Sequence, residues 1–345
     1  MAVATPIGLD IGSMSIRAVE TSRAKDGPVI TNFGVVPLPP GAVHSGVVHD
    51  GEAVTAALKQ LWEETKFRSR NVILGVTNPQ IVVREMSLLN VPGPELRRSL
   101  PFQVRDALAL PVEKLLLDFF PLQDPGEAEN VRGLLIAAPK DAVLAAVHAV
   151  ERAGLHVAQV DLASFALLRA ASRLDGQVEA LVDIGGQATT VIVHIGGEPL
   201  IVRTVPRGGA EITELIAKRL TIDLWEAEEL KCRVGLRADS RADVAEAVAE
   251  AIRPLIGEIR SSFAYLTAGE RQTRVRRIAV SGGGALLPGL LAELAVALDV
   301  DVVLADPMAR LRDRLRGRHS RGKHDSLEHL LSSAAVSIGL TLGAA

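Results

Sequence analysis

The feature that most constrains this chain is a pair of look-alike segments, Gly8–Arg17 (GLDIGSMSIR) and Leu181–Thr190 (LVDIGGQATT), 173 residues apart. Each has an apolar run ending in Asp, one apolar residue, a Gly, a short polar turn and a second apolar run. That order reads as strand, tight turn, strand. Asp10 and Asp183 cap the first strands, and Gly12 and Gly185 let the backbone turn and approach a ligand closely. One such turn alone fits a plain β-hairpin with a capping Asp. The repetition says more, because an internal duplication implies two similar lobes with a cleft between them. Two hairpins facing one another can grip a polyphosphate with backbone N–H groups. Their two carboxylates then lie where a hydrated Mg²⁺ belongs.

Composition narrows the class. At 345 residues the chain should hold two domains with room for subdivision, and 48% hydrophobic with 23% charged residues is ordinary for a globular protein. A net charge of −3 and only 3% aromatic residues argue against nucleic acid as a partner. Cys232 is the sole cysteine, which excludes an internal disulfide and a multi-Cys zinc site and fits a reducing cytoplasm. The first residues lack a basic n-region and an apolar h-region, and no apolar stretch reaches ~18 residues. We therefore expect neither a signal peptide nor a membrane span.

Along the chain, Asp50–Thr65 has helical spacing with Asp50 as N-cap, and Asn71–Val76 reads as a buried strand. The next segment has a different texture. A strand over Val82–Leu89 precedes a helix from Pro92 to about Leu108. Strand-like runs at Val112–Leu122 and Val131–Ala138 then lead to a helix over Lys140–Ala153. This is a compact α+β insert of about 75 residues. The second hairpin continues into a three-stranded meander through Val205. Helices follow from Gly208-Gly209 to Leu220, over Leu224–Lys231 and over Asp243–Leu266, where Pro254 predicts a kink or a break. Then come a strand at Arg277–Ser281, a helix at Leu287–Ala297, a strand at Val300–Leu304 and a final helix at Ser326–Leu342. The stretch Arg310–Lys323 holds seven Lys/Arg and one Asp. It reads as a solvated loop, or as a contact for anionic lipid or an acidic partner.

Several residues carry candidate chemistry. In the first hairpin, Asp10 can hold Mg²⁺ through water, Gly12, Ser13, Met14 and Ser15 form a phosphate-binding turn, and Arg17 adds a cation. Asp183, Gly185, Gly186, Gln187 and Thr189 repeat that set. Gly208-Gly209 opens a helix whose N-terminus is friendly to anions, or is a simple turn. Glu228 and Lys231 share a helical face and can bind ribose hydroxyls or an adenine edge, or form a solvated ion pair. Ser281–Gly289 (SGGGALLPG) puts Gly282, Gly283 and Gly284 where backbone can lie flat on a planar base, with Leu287 following; otherwise it is a connector. No G-K-[ST] follows, so this is not a Walker A loop. Cys232 and the eight histidines show no metal spacing.

Taken in order, these motifs resemble the phosphate 1, phosphate 2, ribose and adenosine motifs of the actin-like ATPase superfamily. The resemblance implies an α/β, actin-like (ribonuclease H-like) fold with two lobes and a nucleotide cleft. Asp161–Ser164 and the residues just after it look like the first connecting helix, and Ala334–Leu342 like the second. The insert looks like the 1C subdomain of the FtsA-like branch. Within it, Val91-Pro92, Arg97-Arg98 and Leu110–Phe119, with a Pro-x₆-Asp-Phe run, resemble the PilM type of pilus-assembly protein. Subdomain 1A would then span 1–81, 159–179 and 334–345, 1C 82–158, 2A 180–206 and 275–333, and 2B 207–274.

The PilM resemblance implies a cytoplasmic protein that binds ATP and Mg²⁺ between the lobes. It also implies a groove between 1A and 1C for the N-terminal tail of a PilN-like inner-membrane protein. Other pilus inner-membrane components, self-association and membrane contact only through partners belong to the same expectation. Gln159 and Asp161 are the candidates to orient a hydrolytic water, with at most slow ATPase activity. The chain ends at Gly343-Ala-Ala345 without the polar linker and amphipathic helix of division relatives. An FtsA-like division protein and a small-molecule kinase on the same fold are the alternatives. The kinase reading lacks a Cys/His zinc cluster and a clear base Asp in lobe one.

Overall fold

The computed structural model describes residues 5–24, 27–122, 124, 126, 128–237, 239, 241–268, 273–308, 312–313 and 333–343. In lobe one, β1 (Ile7–Ile11), β2 (Ser15–Ala24) and β3 (Gly27–Pro37) form an antiparallel meander. A two-stranded ribbon, β4 (Val43–His44) and β5 (Val47–Val48), leads into α1 (Gly51–Thr65). Asp50 caps α1 as its sequence predicts: the carboxylate accepts from the amides of Glu52 and Ala53. The apolar stripe Val54, Ala57, Leu58 and Leu61 is buried against the sheet; each Leu contributes about 1.5–3 kcal/mol by that burial. β6 (Asn71–Val76) then pairs parallel with β1.

The insert comes next: β7 (Val82–Leu89), α2 (Gly93–Val104), β8 (Leu115–Pro121) and β9 (Asn130–Pro139). Its sheet, ordered β7-β9-β8, closes on α2 over a small core of its own that includes Leu88, Leu100, Val104, Phe119 and Leu135. α3 (Lys140–Arg152) packs elsewhere. Ala146, Ala149 and Val150 join Val54, Leu58 and Val72 in the core of lobe one. β10 (His156–Leu162) pairs parallel with β6, and α4 (Ala163–Ala171) leads to lobe two.

Lobe two repeats the plan. β11 (Val178–Ile184), β12 (Thr189–Ile195) and β13 (Glu198–Val205) form the meander. Three helices succeed it: α5 (Gly209–Leu220), α6 (Leu224–Val234) and α7 (Ala242–Ala268). β14 (Arg277–Ser281), α8 (Leu290–Leu298), β15 (Asp301–Leu304), the short β16 (Arg312–Asp313) and α9 (Ala335–Leu342) complete the chain. Strand order is β13-β12-β11-β14-β15 here and β3-β2-β1-β6-β10 in lobe one, where β16 adds to the outer edge of β3. The pairing directions also match: antiparallel within each meander, parallel beyond its first strand. α4 and α9 lie between the two sheets, in one core with Ile73 from lobe one and Leu181, Ile192 and Ala279 from lobe two.

Small residues make that sandwich tight. A Cβ on Gly339 of α9 would collide with the Ala166 carbonyl of α4, and one on Gly8 would collide with the Ser337 carbonyl.

Most elements fall where the sequence places them, with informative exceptions. β10 carries no clean period-2 signal, because it is an exposed edge strand. The helix expected to reach Leu108 ends at Val104 and continues as a 3₁₀ turn, Arg105–Ala107. α7 runs unbroken through Pro254. Apart from Arg312-Asp313, the basic stretch beyond Met308 lies outside the described residues, as does 326–332 of the predicted final helix. No described helix is long and apolar enough to cross a membrane.

Candidate functional site

The two hairpins are the same object built twice. In the first, the Gly12 amide donates to the Ser15 carbonyl at 3.0 Å; in the second, the Gly185 amide donates to the Ala188 carbonyl at 3.0 Å. Asp10 is in register with Arg17, and Asp183 with Thr190. On the parallel side Asp10 faces Gly75 and Asp183 faces Ser281.

The turns meet tip to tip. A Cβ on Gly186 would come within 2.6 Å of Ser13 Oγ and 2.9 Å of Met14 Cγ, so the glycine makes room for the opposite hairpin. Asp10 and Asp183 repel one another across this junction. Burial, against the pull of Arg17 and with the push of Asp183, raises the Asp10 carboxyl from 3.8 to about 6. Burial also raises Asp183, against a 2.6 Å hydrogen bond from the Ser281 hydroxyl and the charge of Arg17. Arg17 Nη1 lies 3.9 Å from Asp10 Oδ2, so one guanidinium serves both carboxylates.

Around this junction the structure collects most of the candidate residues. The turn Gly12–Ser15 is pinned from outside by the Leu38 amide, which donates to the Met14 carbonyl at 2.9 Å. Thr189 is fully buried and its hydroxyl donates to the Arg207 carbonyl, so it braces the second hairpin from behind. Gly208 packs on the carbonyls of Gly185 and Gly186. The first amides of α5, Gly209 and Ala210, donate to those same carbonyls at 2.9 and 2.7 Å. These two amides therefore fasten the helix to the hairpin, where the sequence suggests an open anion-binding end.

Lys231 is buried, and its ammonium donates to Glu228 at 2.6 Å, to the Thr213 hydroxyl at 2.9 Å and to the Gly209 carbonyl at 3.2 Å. The pair is thus a fixed network. Burial pushes Glu228 up, but Lys231 and Thr213 outweigh it and hold the carboxyl below its usual range. The glycine run turns against the second hairpin. Gly282, at φ +82°, and Gly284 both pack on Ile184, whereas the Cβ side of Gly283 faces open space. Leu287 is buried beneath the 3₁₀ turn Gly283–Leu286.

Other candidates lie differently. Asp161 is level with Asp10 across Gly75, and its carboxylate is bound by Arg169, whose Nε also donates to the Gly339 carbonyl at 3.1 Å. Gln159 is exposed on the edge strand. The Gln187 side chain reaches out of its hairpin and accepts the Ser45 amide of the lobe-one ribbon at 2.9 Å. Ser45 and Arg169 are not among the residues that motif and spacing single out, and neither are the contacts of Ser281 and Thr213, which open one motif and close another. Only strand register or long-range contact reveals them, and neither leaves a local spacing signal.

Comparison with known proteins identifies the family and the fold. A profile of the family described as type IV pilus assembly protein PilM matches residues 8–344. The cell division protein FtsA of Bacillus subtilis (strain 168) is 26% identical over 255 residues, 66% of this chain and 58% of that protein. The chain therefore spans less than two thirds of that relative. FtsA of Escherichia coli (strain K12) is 24% identical over 339 residues, 83% of this chain and 80% of that protein. Among solved structures, a PilM–PilN type IV pilus biogenesis complex matches with a TM-score of 0.86 at 27% identity, covering 99% of this chain and 98% of that one. An MreB protein of Spiroplasma citri bound to AMPPNP shares the fold at a TM-score of 0.56 and 13% identity, over 97% and 94%. With matched hairpins on duplicated sheets and a family profile along nearly its whole length, the chain has the actin-like ATPase fold and belongs to the PilM family of type IV pilus assembly proteins.

Proposed function

We propose that this protein is an ATP-conditioned scaffold of the type IV pilus machinery. It holds the N-terminal cytoplasmic tail of a PilN-like inner-membrane protein in a groove between subdomain 1A (1–81, 159–179, 334–345) and subdomain 1C (82–158). The observation that carries this reading is the match to the PilM–PilN complex over 99% of the chain.

Nucleotide binding rests on the hairpin junction. The turns Gly12–Ser15 and Gly185–Gln187 present backbone amides to phosphates, and Arg17 supplies a cation. In this reading the open Cβ side of Gly283 takes a base, and the bonded pair Glu228–Lys231 takes the ribose. The donor set suits Mg²⁺: two partly buried carboxylates, with no group of three metal-ligating side chains among the described residues. Magnesium characteristically takes one or two protein carboxylates and completes its shell with water and phosphate. When bound, the ion would neutralise phosphate charge and lower the proton affinity of Asp10 and Asp183. Asp161 is committed to Arg169, and Gln159 is exposed, so hydrolysis is at most slow in this reading.

The test is calorimetric titration with a synthetic N-terminal peptide of the PilN-like protein from the same organism, with and without ATP. We expect one peptide per chain and an affinity that depends on nucleotide. No binding in either condition overturns the scaffold reading.

A further inference from the structure

The ribbon of β4 and β5 is a small element with no part in the function proposed above, yet its turn touches the second hairpin. Ser45, at the tip, adopts φ +48°, a left-handed conformation uncommon for a residue with a side chain. Two contacts hold it there. Asn78 Nδ2 donates to the Ser45 carbonyl at 3.2 Å, and Gly46, at φ +78°, lies so close to the Thr77 carbonyl that a Cβ would collide with it. The result of this geometry is that the Ser45 amide points across the interlobe boundary and donates to Gln187 Oε1 at 2.9 Å.

The ribbon is also fixed behind. Val43 is buried in the core of lobe one, in the same cluster as Ala146, Ala149 and Val150 of α3. α3 follows β9 of the insert without a linker, since Pro139 ends one element and Lys140 begins the other. A continuous packed route therefore runs from the tip of the second hairpin through Ser45 and the ribbon to α3 and the insert.

We propose that the Ser45–Gln187 contact is a closure latch that transmits the state of the second hairpin to α3 and the insert. The Gln187 carboxamide oxygen is within reach of the Ser45 amide only when lobe two is swung against lobe one. A ligand that draws the hairpins together closes the latch and orders the ribbon, and separation of the lobes releases both. Gln187 is then a positioning residue that acts through lobe one. The inference rests on the nucleotide-binding reading for its trigger, while the contact itself is independent of it.

Hydrogen exchange of the full chain, with and without saturating ATP·Mg²⁺, tests the latch in wild type, Gln187→Leu and Gln187→Glu. Nucleotide binding is measured by calorimetry on the same samples. Leu removes the acceptor at similar size, whereas Glu keeps it. In wild type and Gln187→Glu, ATP is expected to slow exchange of the Ser45 amide about 5-fold or more, with slowing also in 140–152. In Gln187→Leu both effects should be lost. Glu198→Ala, which removes the separate 3.3 Å contact between lobe two and Arg132 of the insert, should leave the Ser45 response intact. Wild type that binds ATP without protecting these segments, or Gln187→Leu that protects them as wild type does, overturns the latch alone. Wild type that binds no ATP overturns the nucleotide reading and removes the trigger with it.

Discussion

The two lobes share a strand order, a set of pairing directions and a hairpin turn, but they differ at many equivalent positions, four of which shape the cleft and its packing. Gly8 of lobe one corresponds to Leu181 of lobe two, Ser13 to Gly186, and Arg17 to Thr190; beside the acidic residue, Gly75 on β6 corresponds to Ser281 on β14. Each difference has a physical reason. Gly8 and Gly75 let α9 lie directly on the first sheet, while Leu181 fills the core where the second sheet meets the connecting helices. Gly186 accommodates Ser13, so the tips interlock instead of colliding. Arg17 provides one cation for two carboxylates, and Ser281 provides a neutral donor for one of them. The duplication has thus kept the frame and divided the labour of the site between unlike halves.

Making the halves alike should break the molecule in graded ways. The largest effect is expected for Gly8→Leu, which copies the lobe-two residue into a position where even a Cβ meets the Ser337 carbonyl. Overpacking of this kind costs about 3 kcal/mol or more, to be read as a large drop in thermal midpoint or as failure to fold. A near-neutral result would mean that α9 does not pack on β1 as described.

Next is Asp10→Asn in protein free of nucleotide and metal. The carboxyl titrates near 3.8 in an ordinary setting and about 6 in the folded protein. Between those values the folded state keeps a proton that the unfolded chain has released. The contribution of this group is fully present below 3.8 and is lost as pH rises through 6, a difference of about 3 kcal/mol. Urea denaturation should find Asp10→Asn more stable than wild type at pH 7.5 and no more stable at pH 3.5. A loss of stability at pH 7.5 would show that Arg17 already compensates for the buried charge.

Gly186→Ser makes the two turns alike and sets a hydroxymethyl group against Ser13. Forcing the tips apart should weaken ATP affinity by about 5- to 150-fold, equivalent to about 1–3 kcal/mol, and Ser13→Gly in the same chain should restore part of it. Unchanged affinity would mean that the tips need not touch for the ligand to bind. The smallest effect is expected for Ser281→Ala, which makes β14 resemble β6 by deleting the donor to Asp183. Loss of one hydrogen bond to this partly buried carboxyl costs about 1 kcal/mol, and the proton affinity of Asp183 should rise, an effect readable by NMR titration.

The frame was legible because the repeat is carried by residues that have no substitute. Asp10-Ile-Gly and Asp183-Ile-Gly announce themselves locally, as do the glycine run at Gly282 and the N-cap at Asp50. The extent of the duplication was not. Its outer strands β3 and β10 lie near sheet edges with mixed exposure and lack the alternation that marks a half-buried strand. The Glu228–Lys231 pair was visible as an i, i+3 spacing, but the spacing does not say that Lys231 is buried on the Gly209 carbonyl. Ser45 left no trace at all, since its significance comes from a hydrogen bond to a residue 142 positions away. Local chemistry marks what approaches a ligand; long-range packing decides what holds it in place.

Calorimetric titration of ATP·Mg²⁺ into wild type, Asp10→Ala and Asp183→Ala, with folding of each variant checked by circular dichroism, decides whether the two hairpins form a single nucleotide site. If the two hairpins form one site, wild type binds one nucleotide per chain and each folded variant loses affinity, although the changed residues lie in different lobes. Binding that survives intact in either variant, or no binding by wild type, would contradict the account.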